Sequence, residues 1–225
     1  MFGKKKAADG RDVGPSAQRS NGDRGNVTIS MNEVHKLAGA AAIRQGYPAD
    51  ARDNIANRVV WLERRQLPGL PALILTLQRF GHLPMPDRLG TKRGDGSFVY
   101  GCPIVAGTIL MDQLASLLEP DPRGIKMING PSAAVLLLPK IAQYAGPRGL
   151  IVRLNWIVDG STRAQSFVDG FRVVTFGEPL ALLNCHQVGF VVHSDEEPPD
   201  MRAGTRDETS LPKDVLAQLE RWAVQ

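Results

Sequence analysis

Cys102 lies in Gly101-Cys102-Pro103, directly ahead of an apolar run that predicts a helix. A thiol at a helix N-terminus faces the positive end of the macrodipole, which favours the thiolate, so Cys102 is the first candidate nucleophile. A small cysteine packed under a helix as plain core is the competing reading. A nucleophilic thiol needs a base, and His186 and His193 in the second half of the chain could supply one, with Arg153 as a further cation. Adjacent residues on a strand point to opposite faces, so Cys185 and His186 are not expected to act as a pair. His186 and His193 are seven apart on the same predicted strand and also face opposite sides. Neither H-E-x-x-H nor paired C-x-x-C occurs, so no metal site is expected. Asp112, within a predicted apolar helix, is either on the wet face or buried with a partner. Gly90, Gly94 and Gly96 alternate with charged residues but lack the order of a phosphate loop or a dinucleotide fingerprint. No G-x-S-x-G elbow is present.

Three helices open the folded part. Ser30 and Glu33 form an S-x-x-E capping box, and Val34, Leu37, Ala38, Ala41 and Ala42 recur at helical spacing up to Gly46. A second helix is expected from about Pro48 to Gln66, burying Ala51, Ile55, Val59 and Leu62, with Arg52, Asp53, Glu63 and Arg64 outside. A third, about Leu70 to Phe80, is almost wholly apolar. Residues 81–101 read as an extended Pro-rich segment and a surface loop or hairpin tip, with a short strand at Phe98-Val99-Tyr100. A helix from Cys102 to about Leu118, a strand at 125–128 and a helix from Ser132 to Ala145, kinked at Pro139, fill the middle. Beyond Gly149 the period falls to two: Leu150, Val152, Leu154 and Trp156 alternate with their neighbours, and Asp159-Gly160 and Asp169-Gly170 signal turns. Phe171–Phe176 and Ala181–Val192 continue as strands of an antiparallel meander. Residues 194–208 read as an acidic loop. Ser210 is expected to cap a last helix whose core face is Val215, Leu216, Leu219, Trp222 and Ala223. The fold class is α/β or α+β: an N-terminal three-helix layer, a mixed middle, and a mainly antiparallel C-terminal sheet with a terminal helix.

With 225 residues, 43% apolar and 22% charged, the chain is long enough for one sizeable core and too hydrophobic to be disordered throughout. Two cysteines exclude a disulfide scaffold. The formal net charge is +4, and residues 1–27 hold six basic and three acidic side chains, which leaves the rest near neutral. Residues 1–27 are therefore expected to be a disordered basic tail, and 28–225 a single globular domain. A nearly neutral domain is not one that grips phosphodiester backbones, so nucleic acid is not an expected partner. Lys4 to Lys6 are followed by no apolar stretch, and no run approaches the ~18 residues that span a bilayer, so a cytoplasmic protein without a membrane partner is expected. A small-molecule ligand is the expected partner, and self-association into a homo-oligomer stays open.

Gly101-Cys102-Pro103-Ile104-Val105-Ala106-Gly107, followed by Asp112, carries a resemblance. So do Ala134–Pro139, Leu150–Trp156, the opening Ser30–Val34 helix start and Trp61-Leu62-Glu63. Together, over about residues 28–223, they resemble an uncharacterised bacterial family, a conserved domain of unknown function, which implies no particular activity. Residues 31–77, with helix, glycine, helix, Leu62-Glu63-Arg64-Arg65 and a third helix, are similar to the entrance of the type-2 malate/lactate dehydrogenase family. That likeness implies a nicotinamide cofactor and a histidine after the second helix. Here Gln66-Leu67-Pro68-Gly69-Leu70 contains no histidine, so the expected proton donor is missing. Two functions follow from these readings. One is a small-molecule binding or accessory protein of bacterial metabolism. The other is a small-molecule enzyme, either thiol-dependent through Cys102 and His186 or a remote dehydrogenase relative. The residues themselves specify no cofactor.

Overall fold

The computed structural model describes residues 25–92, 98–109, 126–129, 133–170, 172–193 and 207–224. The expectations of a basic tail over 1–27 and an acidic loop over 194–208 fall outside these residues except at their ends, where Asn26 and Val27 belong to a strand and so does Glu208; the expectation of a wet or buried Asp112 falls outside them altogether.

Strand β1 (Asn26–Ser30) leads directly into helix α1 (Met31–Arg44). The capping box is present: the Ser30 hydroxyl accepts from the Glu33 amide, and the Glu33 carboxylate accepts from the Ser30 amide at 2.8 Å. After a 3-10 turn at Ala49–Ala51 come α2 (Arg52–Glu63) and α3 (Gly69–Phe80), which with α1 make the helical layer. Ile55, Val59 and Leu62 form the buried stripe of α2. Arg58 and Glu63 are buried with them. Glu63 was expected outside. It turns inward because its carboxylate caps α3: Oε1 accepts from the Leu70 amide at 2.7 Å, and Oε2 accepts from the Thr209 hydroxyl at 2.7 Å. Burial holds this carboxyl above its ordinary range, and the bonds from Leu70, Thr209 and Gly69 pull against that shift.

The segment expected to be extended before the hairpin contains a short helix, α4 (Met85–Leu89), because Pro86 fits the first turn, where a missing amide costs nothing. Strands β2 (Gly90–Lys92) and β3 (Phe98–Tyr100) pair antiparallel. Helix α5 follows, described over residues 103–109, and then β4 (Lys126–Asn129). Pro139 does not kink a long helix. It opens a new one: a 3-10 turn at Ala134–Leu137 gives way to α6 (Leu138–Ala145), with proline in the first turn.

The C-terminal half is α+β. β5 (Ile151–Val158), β6 (Ser161–Val168) and β7 (Val173–Gly177) form the expected meander. The β5–β6 connection is Asp159-Gly160, both in the left-handed region, as a two-residue hairpin requires. The stretch expected as one strand from Ala181 divides instead into α7 (Ala181–Asn184) and β8 (Gln187–His193). β8 does not extend the meander. It lies between β4 and β5, and the seven-stranded sheet runs β2-β3-β4-β8-β5-β6-β7 with only β3–β4 parallel. The buried face of β5 is Val152, Leu154 and Trp156, against which α6 and α7 pack.

Ser210 is not a helix cap. Glu208–Pro212 is strand β9, which pairs with β1 in a separate two-stranded sheet, and α8 (Lys213–Val224) begins after it. α8 packs on α1, but only Leu219 is fully buried; Val215, Leu216, Trp222 and Ala223 are half-covered at the edge of the core.

Candidate functional site

Helix α2 places Asn54, Arg58 and Trp61 on one face by i+4 and i+3 spacing. That face looks across to α6, which contributes Pro139, Lys140 and Gln143. Between them lies a cleft of about 790 Å³, whose lining also includes Gly146, Pro147 and Gly170. Gly170 has φ +85°, and a Cβ there would come within 2.6 Å of the Gly146 Cα. Backbone thus touches backbone where the β6–β7 turn meets the end of α6, and only glycine allows that approach.

Arg58 is 4% exposed. Its Nε donates to Asn54 Oδ1 at 2.9 Å, Nη1 to the Ile104 carbonyl at 2.8 Å, and Nη2 to the Thr108 hydroxyl at 3.2 Å. The guanidinium therefore ties α2 to α5. Room for it comes from Gly107, where a Cβ would meet Nη1 at 2.9 Å. Burial lowers the Arg58 pKa to about 10. Lys140, in the first turn of α6, donates to Gln143 Oε1 at 3.1 Å, and its ammonium is held below its ordinary range by burial first and Arg58 second. Arg65 lies over the Trp61 ring, 3.9 Å from its centroid, and donates to the Trp61 carbonyl. Arg64 is exposed at the rim. Among the described residues no Asp or Glu lines the cleft. Arg58 was not singled out in the sequence. Its spacing carries the signal all the same: Ile55, Arg58 and Leu62 recur at i, i+3, i+7, so the cation sits on the buried stripe.

No family model matches the chain, and no curated protein matches it in sequence. Among solved structures, it is similar to a dehydrogenase from Sinorhizobium meliloti, with TM-score 0.57 and 15% identity over 88% of this chain and 100% of that one. At that identity the likeness is one of fold. A malate dehydrogenase from Entamoeba histolytica superposes with TM-score 0.33 at 13% identity, covering 64% of this chain and 44% of that one.

Cys102 is fully buried beneath the first turn of α5. Its backbone amide donates to the Arg88 carbonyl at 2.8 Å, and its Sγ shares a 2.9 Å hydrogen bond with the Tyr47 hydroxyl. The amides of Ile104 and Val105 also favour the thiolate, as expected at a helix start, but burial outweighs them and raises the thiol above its ordinary range. Cys185, also buried, is pushed up to about 11. His186 is exposed in the turn before β8, not on the strand, and its amide donates to the Ile157 carbonyl. His193 ends β8 opposite Ile151. The described hydrogen bond of the Cys102 thiol is thus with the Tyr47 hydroxyl. Iodoacetamide labelling of the native protein at pH 7–8, with each thiol assigned by mass spectrometry, should show both cysteines reacting many times more slowly than in urea-unfolded chain. Fast labelling of Cys102 alone, well below pH 8, would instead support the thiol-dependent reading. Among the described residues no group of His, Cys, Asp and Glu could hold a metal ion, and no helix is long and apolar enough to cross a membrane.

Proposed function

We propose that this protein binds a small molecule in the cleft between α2 and α6, as a binding or accessory protein of metabolism. The observation that carries this is the cleft itself: about 790 Å³, within the size range of metabolite sites. Its walls are apolar at Trp61, Pro139 and Pro147, and a few convergent polar groups from two helices could orient a ligand.

The dehydrogenase alternative is supported by the fold likeness to the Sinorhizobium meliloti dehydrogenase, but the missing histidine weighs against it. Residues 66–70, where the dehydrogenase pattern has its histidine, are occupied with building the α2–α3 turn. Gln66 is in the left-handed region at φ +59°, the Leu67 amide returns to the Leu62 carbonyl, and the Leu70 amide is held by Glu63.

A thermal-shift screen of the full chain against metabolites and nicotinamide cofactors tests the proposal. A cleft ligand at about 100 times its Kd should stabilise the native state by about 2.7 kcal/mol. It should also change Trp61 fluorescence, a change lost in Trp61→Phe. Gln143→Trp, an exposed rim position that can carry the bulk, should abolish the thermal shift. A shift that survives Gln143→Trp with no Trp61 signal would place the ligand elsewhere and overturn the proposal; so would the absence of any ligand.

A further inference from the structure

Given the assignment of the α2–α6 cleft as the ligand site, on which this step rests, we infer that its ligand is a small organic anion whose carboxylate or phosphate docks against Arg58 and Lys140. The argument starts from charge balance. A guanidinium that is 4% exposed is normally matched by a carboxylate, because water no longer solvates it. Arg58 has no such partner among the described residues. Its three acceptors are the Asn54 amide oxygen, the Ile104 carbonyl and the Thr108 hydroxyl, all neutral. A guanidinium has five N–H bonds, so among the described residues two remain for a further acceptor. Lys140 lines the same cleft and also has a neutral partner, Gln143. Arg64 adds a further cation to the wall, and among the described residues the lining contains no carboxylate.

Such a set is ordinary on an open, solvated face. It is not ordinary when one member is buried and a second is close enough to be disfavoured by it, as Lys140 is by Arg58. An anion between them relieves the repulsion, satisfies the spare guanidinium donors, and forms the charge-assisted bonds that are the strongest available here. The remaining wall defines the rest of the ligand. Trp61, Pro139 and Pro147 offer apolar contact, so the body carrying the anionic group is organic rather than another ion.

The test uses the full-length protein with inorganic phosphate and citrate as probes, at constant ionic strength balanced with chloride. Both probes should raise the unfolding midpoint beyond the chloride control. Lys140→Gln should weaken their apparent affinity about tenfold or more. Arg163→Gln, which removes an exposed cation paired with Glu178 outside the cleft, should leave it unchanged. Arg58→Gln is the less clean variant, because it also frees the Ile104 carbonyl. The relative protection by phosphate and citrate tells which head group is preferred. Protection no greater than chloride, or unaltered by Lys140→Gln, would overturn the anion inference. Neutral metabolites that bind and are blocked by Gln143→Trp would leave the cleft as a binding site while removing its anion preference. No binding by either class would remove both.

Discussion

Arg88→Met should destabilise the protein by about 3–5 kcal/mol. Arg88 is 2% exposed and joins two segments through three carbonyls: Nε donates to Leu83 at 2.8 Å, and Nη2 to Gln45 at 2.9 Å and Gly81 at 2.8 Å. Its guanidinium also lies over the Tyr47 ring, 4.3 Å from the centroid. Methionine keeps most of the volume and supplies no donor, so three carbonyls around the end of α1 and the α3–α4 link lose their partner together. Lysine should rescue only in part, because a single ammonium at the end of a flexible stem cannot reproduce the planar fork. Urea unfolding with an unchanged m-value measures the loss. A change below about 1 kcal/mol would show that water replaces Arg88 readily. The effect should also reach Cys102, whose amide is held by the Arg88 carbonyl and whose thiol is bonded to Tyr47.

Trp156→Ala should cost a similar amount, about 3–5 kcal/mol, for a different reason. Trp156 is fully buried on the helix-facing side of β5. Its Nε1 donates to Ser166 Oγ at 2.8 Å, and Ser166 Oγ is in turn 2.8 Å from Thr175 Oγ1, so one hydrogen-bonded chain crosses β5, β6 and β7. Alanine opens a cavity and removes the donor. Trp156→Phe keeps most of the volume and removes only the donor. Because Ser166 retains Thr175, this variant should lose about 1 kcal/mol. If the two variants were equally unstable, the hydrogen bond within the sheet rather than the packing of the ring would account for the contribution of Trp156.

Both residues show how unevenly the chain reveals itself. Trp156 was legible: strict alternation with Leu154 and Val152 places it on a covered face, and the covered face is where the structure puts it. Arg88 was not. It stands in Pro84-Met85-Pro86-Asp87-Arg88, a segment with too little periodicity to predict a helix, and its three acceptors are 5, 43 and 7 residues away. Arg58 falls between these cases. Its spacing announced burial, but the neutrality of its partners could be known only once Ile104 and Thr108 were brought to it across some fifty residues.

The chain by itself determined the elements whose cause is local: the Ser30–Glu33 capping box, the three opening helices, the Asp159-Gly160 hairpin and the two-residue period of β5. In each, the interacting groups lie within a few residues and the pattern repeats often enough to specify a face. Tertiary structure alone decided where β8 enters the sheet, that β9 pairs with β1 rather than leaving Ser210 as a helix cap, that Glu63 turns inward, and that the cations of α2 and α6 share one cleft. Each of these depends on which distant group supplies a hydrogen bond or covers an apolar face. Local propensity carries no information about such partners, because the free energy that selects them is gained only when the remote surfaces meet.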